Sequence, residues 1–224
     1  MKNKKIQLKT KRLCIEPKTL EELRNVQMQE NDAELKKAYQ DMIDGVENHP
    51  EEWIWYTDWT ISLKKENIAI GGLGFKGAPD EKAEVEIGYG IEEPYRRQGY
   101  CLEAVNAVLE WAFSNEKVYF VMAETAPDNV ASQELLKKVG FSETGTVGEE
   151  GPRYEKERPV VQYMTLFMCM GLSVGMCFGL SVFDNLALGM CLGMGIGTCL
   201  GAALDAQEKK NREEVKKRRK KENQ

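Results

Sequence analysis

An α+β fold is expected for residues 1–160: a mixed β-sheet flanked by helices. A two-helix apolar hairpin over 161–206 and a basic helical tail over 207–224 are expected to follow. Three observations predict this. In the first 160 residues, short stretches with apolar residues at every second position alternate with stretches at helical spacing. From Met164 to Leu204 the only charged residue is Asp184. Residues 207–224 then carry nine Lys/Arg against four Glu.

At 224 residues the chain is long enough for one domain of about 150 residues plus an appendage. Six cysteines occur with no C-x-x-C pair, and the N-terminal residues do not read as a signal peptide. Reduced thiols and a cytosolic catalytic part are expected. The only histidine, His49, sits in the loop-like "ENHP", which argues against histidine-based triads and most zinc sites. No metal and no nucleic-acid partner are expected. The net charge of -5 divides unevenly: the tail is +5, so the body before it is -10.

The elements follow in order. "IQLKTKRLCIEP" reads as a strand, then "TLEELRNVQMQ" and "DAELKKAYQDMIDGV" as helices. "WIWYTDWTISLK" and "IAIGGLGFKG" read as strands joined by the turn "KEN". In "AEVEIGYGI", Glu84 and Glu86 alternate with Val85, Ile87 and Tyr89, the pattern of a half-buried strand. Helix "GYCLEAVNAVLEWAFS", strand "KVYFVMAET" and helix "NVASQELLKKV" come next. "GFSETGTV" and "RYEKERPVVQY" close the domain as a strand pair. Strands interleaved with helices in this way predict the mixed sheet.

The apolar stretches Met164–Phe183 and Leu186–Leu204 are 20 and 19 residues long and flank the turn-forming pair Asp184-Asn185. As helices each reaches about 30 Å, the thickness of a bilayer's hydrocarbon core. Gly171, Gly175 and Gly179, then Gly189, Gly193, Gly197 and Gly201, recur every fourth residue. On a helix that spacing makes a smooth stripe for close backbone approach, within one hairpin or between copies of the chain. In water each interior glycine costs about 1 kcal/mol against alanine, so a membrane setting is expected. The alternative is a hairpin buried in a soluble protein or covered by a partner. Cys169, Cys177, Cys191 and Cys199 read as small apolar fillers.

One stretch stands out chemically. "YRRQGYCLEA" places Arg96 and Arg97 just before a helix, where the macrodipole already carries partial positive charge. The arrangement makes sense if the loop holds an anion. Strand, loop "EEPYRRQG", then helix presents backbone N–H groups to such a ligand, and Gly99 allows close backbone approach. The two arginines suit a pyrophosphate or phosphate. A solvated helix start with surface arginines is the alternative.

Together with its surroundings this stretch resembles a family. "YRRQGYCLEA" is similar to the pyrophosphate-loop motif R/Q-x-x-G-x-G/A of the GNAT acyltransferase superfamily, with Cys101 in place of the usual Gly or Ala. "PDNVASQELLKKVGF" resembles the superfamily's second motif. "AEVEIGYGI" sits where its central strand belongs, and "TKRLCIEP" resembles the T-x-R-L opening of the ribosomal-protein N-terminal acetyltransferase branch. The resemblance covers roughly residues 4–160. It implies acetyl-CoA as donor and a primary amine as acceptor, a protein N-terminus or a small amine. It also implies that backbone groups of Tyr89, Gly90 and Ile91 hold the pantetheine arm between two splayed parallel strands. The loop Arg96, Arg97, Gln98, Gly99, Tyr100 and Cys101 would take the pyrophosphate, and Asn129 the pantetheine or a bridging water.

Attack of an amine on a thioester needs a base, because the amine arrives protonated. Glu86 is the choice, with Glu84 and Glu124 as rivals; any one of them alone also reads as a solvated strand carboxylate. The departing thiolate needs a hydrogen bond. Where many relatives carry a tyrosine in the second-motif helix this chain has Leu136, which leaves Ser132 as the expected donor. The plainer reading of Ser132 is a helix-start hydroxyl bonded to nearby backbone. Trp53, Trp55, Tyr56 and Trp59 lie near where relatives contact acceptors, although such aromatics are as a rule core. The expected location is the cytosolic face of a membrane, with lipid as a partner and a homo-oligomer through the glycine stripe as another. A non-catalytic acyl-CoA sensor is the alternative from another class.

Overall fold

The computed structural model describes residues 6–182 and 184–222. Residues 1–5, Phe183 at the end of the first apolar stretch, and residues 223–224 lie outside the described residues. The chain divides into two compact units, Met1–Arg158 and Pro159–Gln224.

The first unit is an eight-stranded mixed sheet with helices. In chain order its elements are β1 (Leu8–Lys9), β2 (Leu13–Pro17), α1 (Leu20–Gln29), α2 (Ala33–Asn48), β3 (Asp58–Leu63), β4 (Ala69–Phe75) and β5 (Glu84–Ile91). Then come α3 (Tyr100–Phe113), β6 (Phe120–Glu124), α4 (Val130–Val139), β7 (Ser142–Val147) and β8 (Pro152–Glu157). The strand order is β1-β2-β3-β4-β5-β6-β8-β7. Every pairing is antiparallel except β5 with β6.

Local chemistry sets the helix starts. Thr19 and Glu22 form a reciprocal capping box on α1, and Asp32 caps α2 by accepting from the Glu34 and Leu35 N–H groups. Such caps contribute about 1 kcal/mol each. α3 turns Ala104, Val105, Val108, Leu109 and Ala112 inward, and all five are buried. The core they join includes Leu13, Ile15, Trp59, Ile61, Ile70, Leu73, Val85 and Ile87. Trp111 of α3 meets Trp55 at 4.7 Å and Trp59 at 4.8 Å between ring centroids. Trp55 and Trp59 are therefore core, while Trp53 and Tyr56 are half-buried and also touch the small cluster Leu23, Ile43 and Val46 under α1 and α2.

Two predicted strands are interrupted. "IQLKTKRLCIEP" folds back on itself as the β1–β2 hairpin, because the Thr10 hydroxyl accepts from the Leu13 N–H at 2.9 Å and closes a turn. "WIWYTDWTISLK" opens with a short 3₁₀ turn over Trp53–Trp55 before β3 begins at Asp58. There the Trp59 indole N–H donates to the Ile54 carbonyl at 3.3 Å, and both Ile54 and Trp55 point inward, which a straight strand's alternation does not allow.

The second unit is a helical hairpin, α5 (Tyr163–Ser181) and α6 (Leu186–Glu222). The glycine stripes of the two helices face each other. A Cβ on Gly175 would stand 2.3 Å from the Gly189 carbonyl oxygen, one on Gly193 2.1 Å from that of Gly171, and one on Gly197 2.1 Å from that of Phe167. Only glycine permits that approach. The stripe is thus used within one chain, one of the two arrangements expected for it. Gly195, outside the stripe, has open space around it. The large side chains point the other way: Met170, Val174, Phe178, Leu180, Ile196 and Leu200 are each more than half exposed. Asp184 takes a left-handed conformation at the turn (φ 47°), and the Asn185 side chain caps α6 by accepting from the Leu188 N–H at 3.1 Å. At the other end, the Asp205 carboxylate accepts from the Tyr163 and Met164 N–H groups at 2.8 and 3.0 Å, tying the start of α5 to α6. α6 runs on through the basic segment to Glu222 without a break.

Candidate active site

The β5–β6 ladder has three rungs, Glu84 with Phe120, Val85 with Val121 and Glu86 with Met122, and stops there. β5 continues to Ile91, still paired with β4 on its other edge. From Ile87 onward one edge of β5 therefore faces an opening. Parallel strands that diverge leave backbone N–H and C=O groups available for an extended ligand.

A cleft of about 960 Å³ lies at this opening. Its walls are Tyr89, Gly90 and Ile91 from β5, the loop and first turn of α3 (Arg96, Arg97, Gly99, Tyr100, Cys101), and Asn129 to Ser132 with Leu135 and Lys138 from α4. All but one of the expected donor-binding residues line it. Gln98 does not: its side chain donates to the Pro94 carbonyl at 3.1 Å. Ten residues from β5, the loop and the first turn of α3, within thirteen positions of one another (Tyr89 to Leu102), meet α4 residues about thirty positions later.

The loop is held open by its own chemistry. Arg97 and Gly99 both have positive φ, 59° and 77°. At Gly99 a side chain would be strained. The Arg96 guanidinium donates to the Ile91 carbonyl at 2.9 Å, stapling the loop to the end of β5, whereas the Arg97 side chain is exposed at the cleft. One arginine is thus structural and the other stands at the cleft wall.

A clamp from the chain's start, not foreseen in the sequence, fixes the helix below the loop. Glu103 in the first turn of α3 accepts from the Arg12 guanidinium at 2.6 Å, from the Arg12 N–H at 2.8 Å and from the Thr10 hydroxyl at 2.5 Å. Arg12 also donates to the Gln98 carbonyl at 2.9 Å and lies over the Tyr100 ring, 4.4 Å from its centroid. Burial pushes the Glu103 carboxyl up, but the Thr10 and Arg12 donors outweigh it and hold it below the usual glutamate value. The "TKR" of the opening motif and an acidic residue in the first turn of α3 were the available signals.

Ser132 and Asn129 divide their tasks. The Asn129 side-chain oxygen caps α4, accepting from the Ser132 N–H at 3.1 Å. The Ser132 hydroxyl is bonded across the cleft to the Tyr89 hydroxyl at 2.9 Å, not to nearby backbone. Leu136, in the slot where a tyrosine was considered, is fully buried in the core. Burial pushes the Tyr89 hydroxyl up to about 12 and the Cys101 thiol likewise to about 12, so both are protonated in neutral solution.

Glu86 stands elsewhere. The alternation of β5 puts it on the opposite face from Tyr89, and it does not line the cleft. It does sit at the last rung of the β5–β6 ladder, where the sheet parts. Its carboxylate is ion-paired with the Lys76 ammonium, which also reaches Glu150 at 2.9 Å. Glu124, one rival base, is nearly enclosed: Arg153 donates to it at 2.5 Å and the Glu150 N–H at 3.0 Å. Burial raises its carboxyl, but these two donors outweigh that and hold it below the usual range. A carboxylate so satisfied is a poor proton acceptor. Glu84, the other rival, lies one rung-pair earlier, opposite Phe120, where the strands are still paired.

Comparison with known proteins agrees with this architecture. The family model for the acetyltransferase (GNAT) domain matches residues 11–142. An uncharacterized N-acetyltransferase of Bacillus subtilis (strain 168), YjdG, is 44% identical over 87 residues, 38% of this chain and 51% of that protein. The matched stretch thus spans about half the length of that relative. Among solved structures, a GNAT-family acetyltransferase from Bacillus anthracis superposes with a TM-score of 0.51 at 20% identity, over 68% of this chain and 99% of the other. A ribosomal L7/L12 alpha-N-protein acetyltransferase in complex with coenzyme A does so with a TM-score of 0.55 at 14% identity, over 68% and 98%. At these identities the superpositions establish the fold, and the family match extends over more than half of the sequence: the chain belongs to the GNAT acetyltransferase family.

Proposed function

We propose that this protein is an acetyl-CoA-dependent N-acetyltransferase acting on a primary amine, a protein N-terminus or a small amine, and that its hairpin tethers it to the cytosolic face of a membrane. One observation carries the activity. The parting of β5 from β6, the positive-φ loop at the start of α3 and the Ser132 hydroxyl converge on a single cleft. Those residues fit the donor: loop N–H groups and Arg97 suit a pyrophosphate, and the unpaired edge of β5 from Tyr89 to Ile91 suits an amide-bearing arm.

Acetyl-CoA, when bound, supplies an activated acetyl thioester that an amine converts to an amide. The chain's own residues do the rest. Glu86 takes the proton from the incoming ammonium at the point where the sheet opens. Ser132 donates a hydrogen bond to the departing sulfur. Lys76 holds the Glu86 carboxylate in place through their ion pair. The acidic body attracts a cationic amine.

The tether reading draws on the hairpin's reversed packing, glycine inside and large apolar side chains outside. Both helices are long and apolar enough to cross a membrane. Two crossings return the chain to its starting side, so the domain and the nine Lys/Arg after residue 207 share the cytosol, as the positive-inside rule requires.

The test is turnover of acetyl-CoA by the full chain against a panel of amines and peptides with free N-termini. Turnover that Glu86→Gln slows without weakening CoA binding supports the enzyme. CoA binding with no turnover of any acceptor, in wild type as in Glu86→Gln, points instead to the acyl-CoA sensor.

A further inference from the structure

The cleft holds a polar pair that neither the loop nor the base explains. Tyr89 on β5 and Ser132 on α4 bring their hydroxyls to 2.9 Å, both line the cleft, and both are partly shielded from water. Each hydroxyl has one proton to donate and lone pairs to accept with. If Ser132 donates to Tyr89, its proton is spent inside the protein. If Tyr89 donates to Ser132, the serine proton is left for the cleft.

We propose that Tyr89 is a positioning residue: its hydroxyl donates to the Ser132 oxygen, so that the Ser132 proton is aimed at the sulfur of the bound donor and stabilises it as the thiolate. This rests on the acetyltransferase reading of the cleft and assigns the Tyr89 side chain a role in it. The Leu136 position supplies no hydroxyl, so the second donor comes from the strand instead of from the helix.

Magnitude decides between a positioner and an acid. A thiol ordinarily titrates near 8.5. Burial holds Tyr89 at about 12, so passing its proton to a thiolate would run uphill by roughly three units. Tyr89 therefore remains protonated and serves as a fixed donor. Chained hydroxyls polarise one another, which makes the Ser132 proton a stronger donor than a lone serine's. The other titratable groups near Tyr89 are Cys101 on α3 and Tyr154 on β8. Burial raises both, so these two stay uncharged in neutral solution, while Arg96, Arg97, Glu134 and Lys138 bring charge to the cleft wall.

The test reads the sulfur directly and needs no acceptor. CoA bound to the full chain is titrated with base while the ultraviolet absorbance of its thiolate is recorded, with free CoA as reference. Hydrogen bonds to a charged group are strong enough to lower the bound thiol's midpoint by about one unit or more in wild type. Ser132→Ala should erase that shift. Tyr89→Phe, which keeps the ring and its packing, should remove at least half of it, and the double variant should be no worse than Ser132→Ala. In turnover, Tyr89→Phe should lower kcat roughly tenfold with the acetyl-CoA KM unchanged, the split expected of a group that acts on the leaving sulfur. A full shift retained in Tyr89→Phe, or losses that add in the double variant, overturns the proposal. Turnover with no thiol shift in wild type overturns it too while leaving the acetyltransferase reading intact. Failure of wild type to bind CoA overturns both.

Discussion

The two units pack by opposite rules. In the first, Trp59, Leu13, Ile15 and Ile61 are at 0% exposure and most charges lie outside. In the second, Gly175, Gly179, Gly189, Gly197 and Gly201 are the buried residues, and Phe178, Leu180 and Ile196 stand outside at 55, 68 and 62% exposure. The same chain thus buries bulk in one place and backbone in the other. Water as solvent rewards the first arrangement, at about 25 cal/mol for each Å² of apolar surface removed. Where the surroundings are as apolar as leucine that gain vanishes, and close backbone contact between small residues decides the packing. The difference teaches that the glycines serve close helix packing, the arrangement expected if the hairpin lies in a membrane as proposed.

The largest expected effect breaks the second rule. Gly175→Leu drives a side chain into the Gly189 carbonyl and should separate α5 from α6, costing about 3 kcal/mol or more. Gly195→Ala, into open space, should be neutral or gain up to about 1 kcal/mol. Protease protection of the hairpin in lipid distinguishes them. Equal sensitivity at the two positions would show that the stripe is not the contact. Neither substitution should alter CoA affinity.

Next in size are breaks in the first unit that leave the hairpin untouched. Glu86→Gln should lower kcat about a hundredfold with CoA affinity retained, as for a lost base. Normal turnover in Glu86→Gln together with its loss in Glu124→Gln would move the base to Glu124. Gly99→Val should weaken CoA binding at least tenfold, because its φ of 77° costs a branched residue about 1–2 kcal/mol and the side chain would crowd the proposed pyrophosphate loop. Calorimetry reads this, and unchanged affinity would remove the loop from the site.

A smaller effect depends on pH. Glu124 is held below the usual glutamate value of 4.5 by the Glu150 N–H and Arg153, against the upward pull of burial. A carboxyl depressed in the folded state stabilises above its unfolded value and loses that contribution as pH falls through its folded value. The stability advantage of wild type over Glu124→Gln should therefore be full at pH 6 and shrink steadily below about pH 4.5. Denaturant unfolding across that range checks it, and an advantage that grows on acidification would contradict the ion pair.

Local signals were legible in the sequence and long-range ones were not. Gly99 with its arginines, the alternation of Glu84 and Glu86 with Val85 and Ile87, and the period-four glycines each declare themselves within a dozen residues. The broken strands at Thr10 and Trp53 were hidden, since a turn closed by one hydroxyl and an apolar run that curls inward look strand-like in one dimension. The Tyr89–Ser132 pair joins residues 43 apart, and the Arg12–Glu103 clamp joins residues 91 apart. Neither follows from spacing, because only the parting of β5 from β6 and the β1–β2 hairpin bring them together. The glycine stripe was legible, but the meeting of its two halves within one chain needed the hairpin's own packing.

The contrast between the two units rests on what surrounds the hairpin, and alkaline carbonate extraction of membranes from cells expressing the full chain measures that most directly. The account predicts that the protein stays with the membrane pellet, and that a cysteine introduced into the basic tail escapes impermeant labelling in intact cells. Release of the full chain as a soluble monomer would contradict it and make the hairpin a packed element of a water-soluble protein.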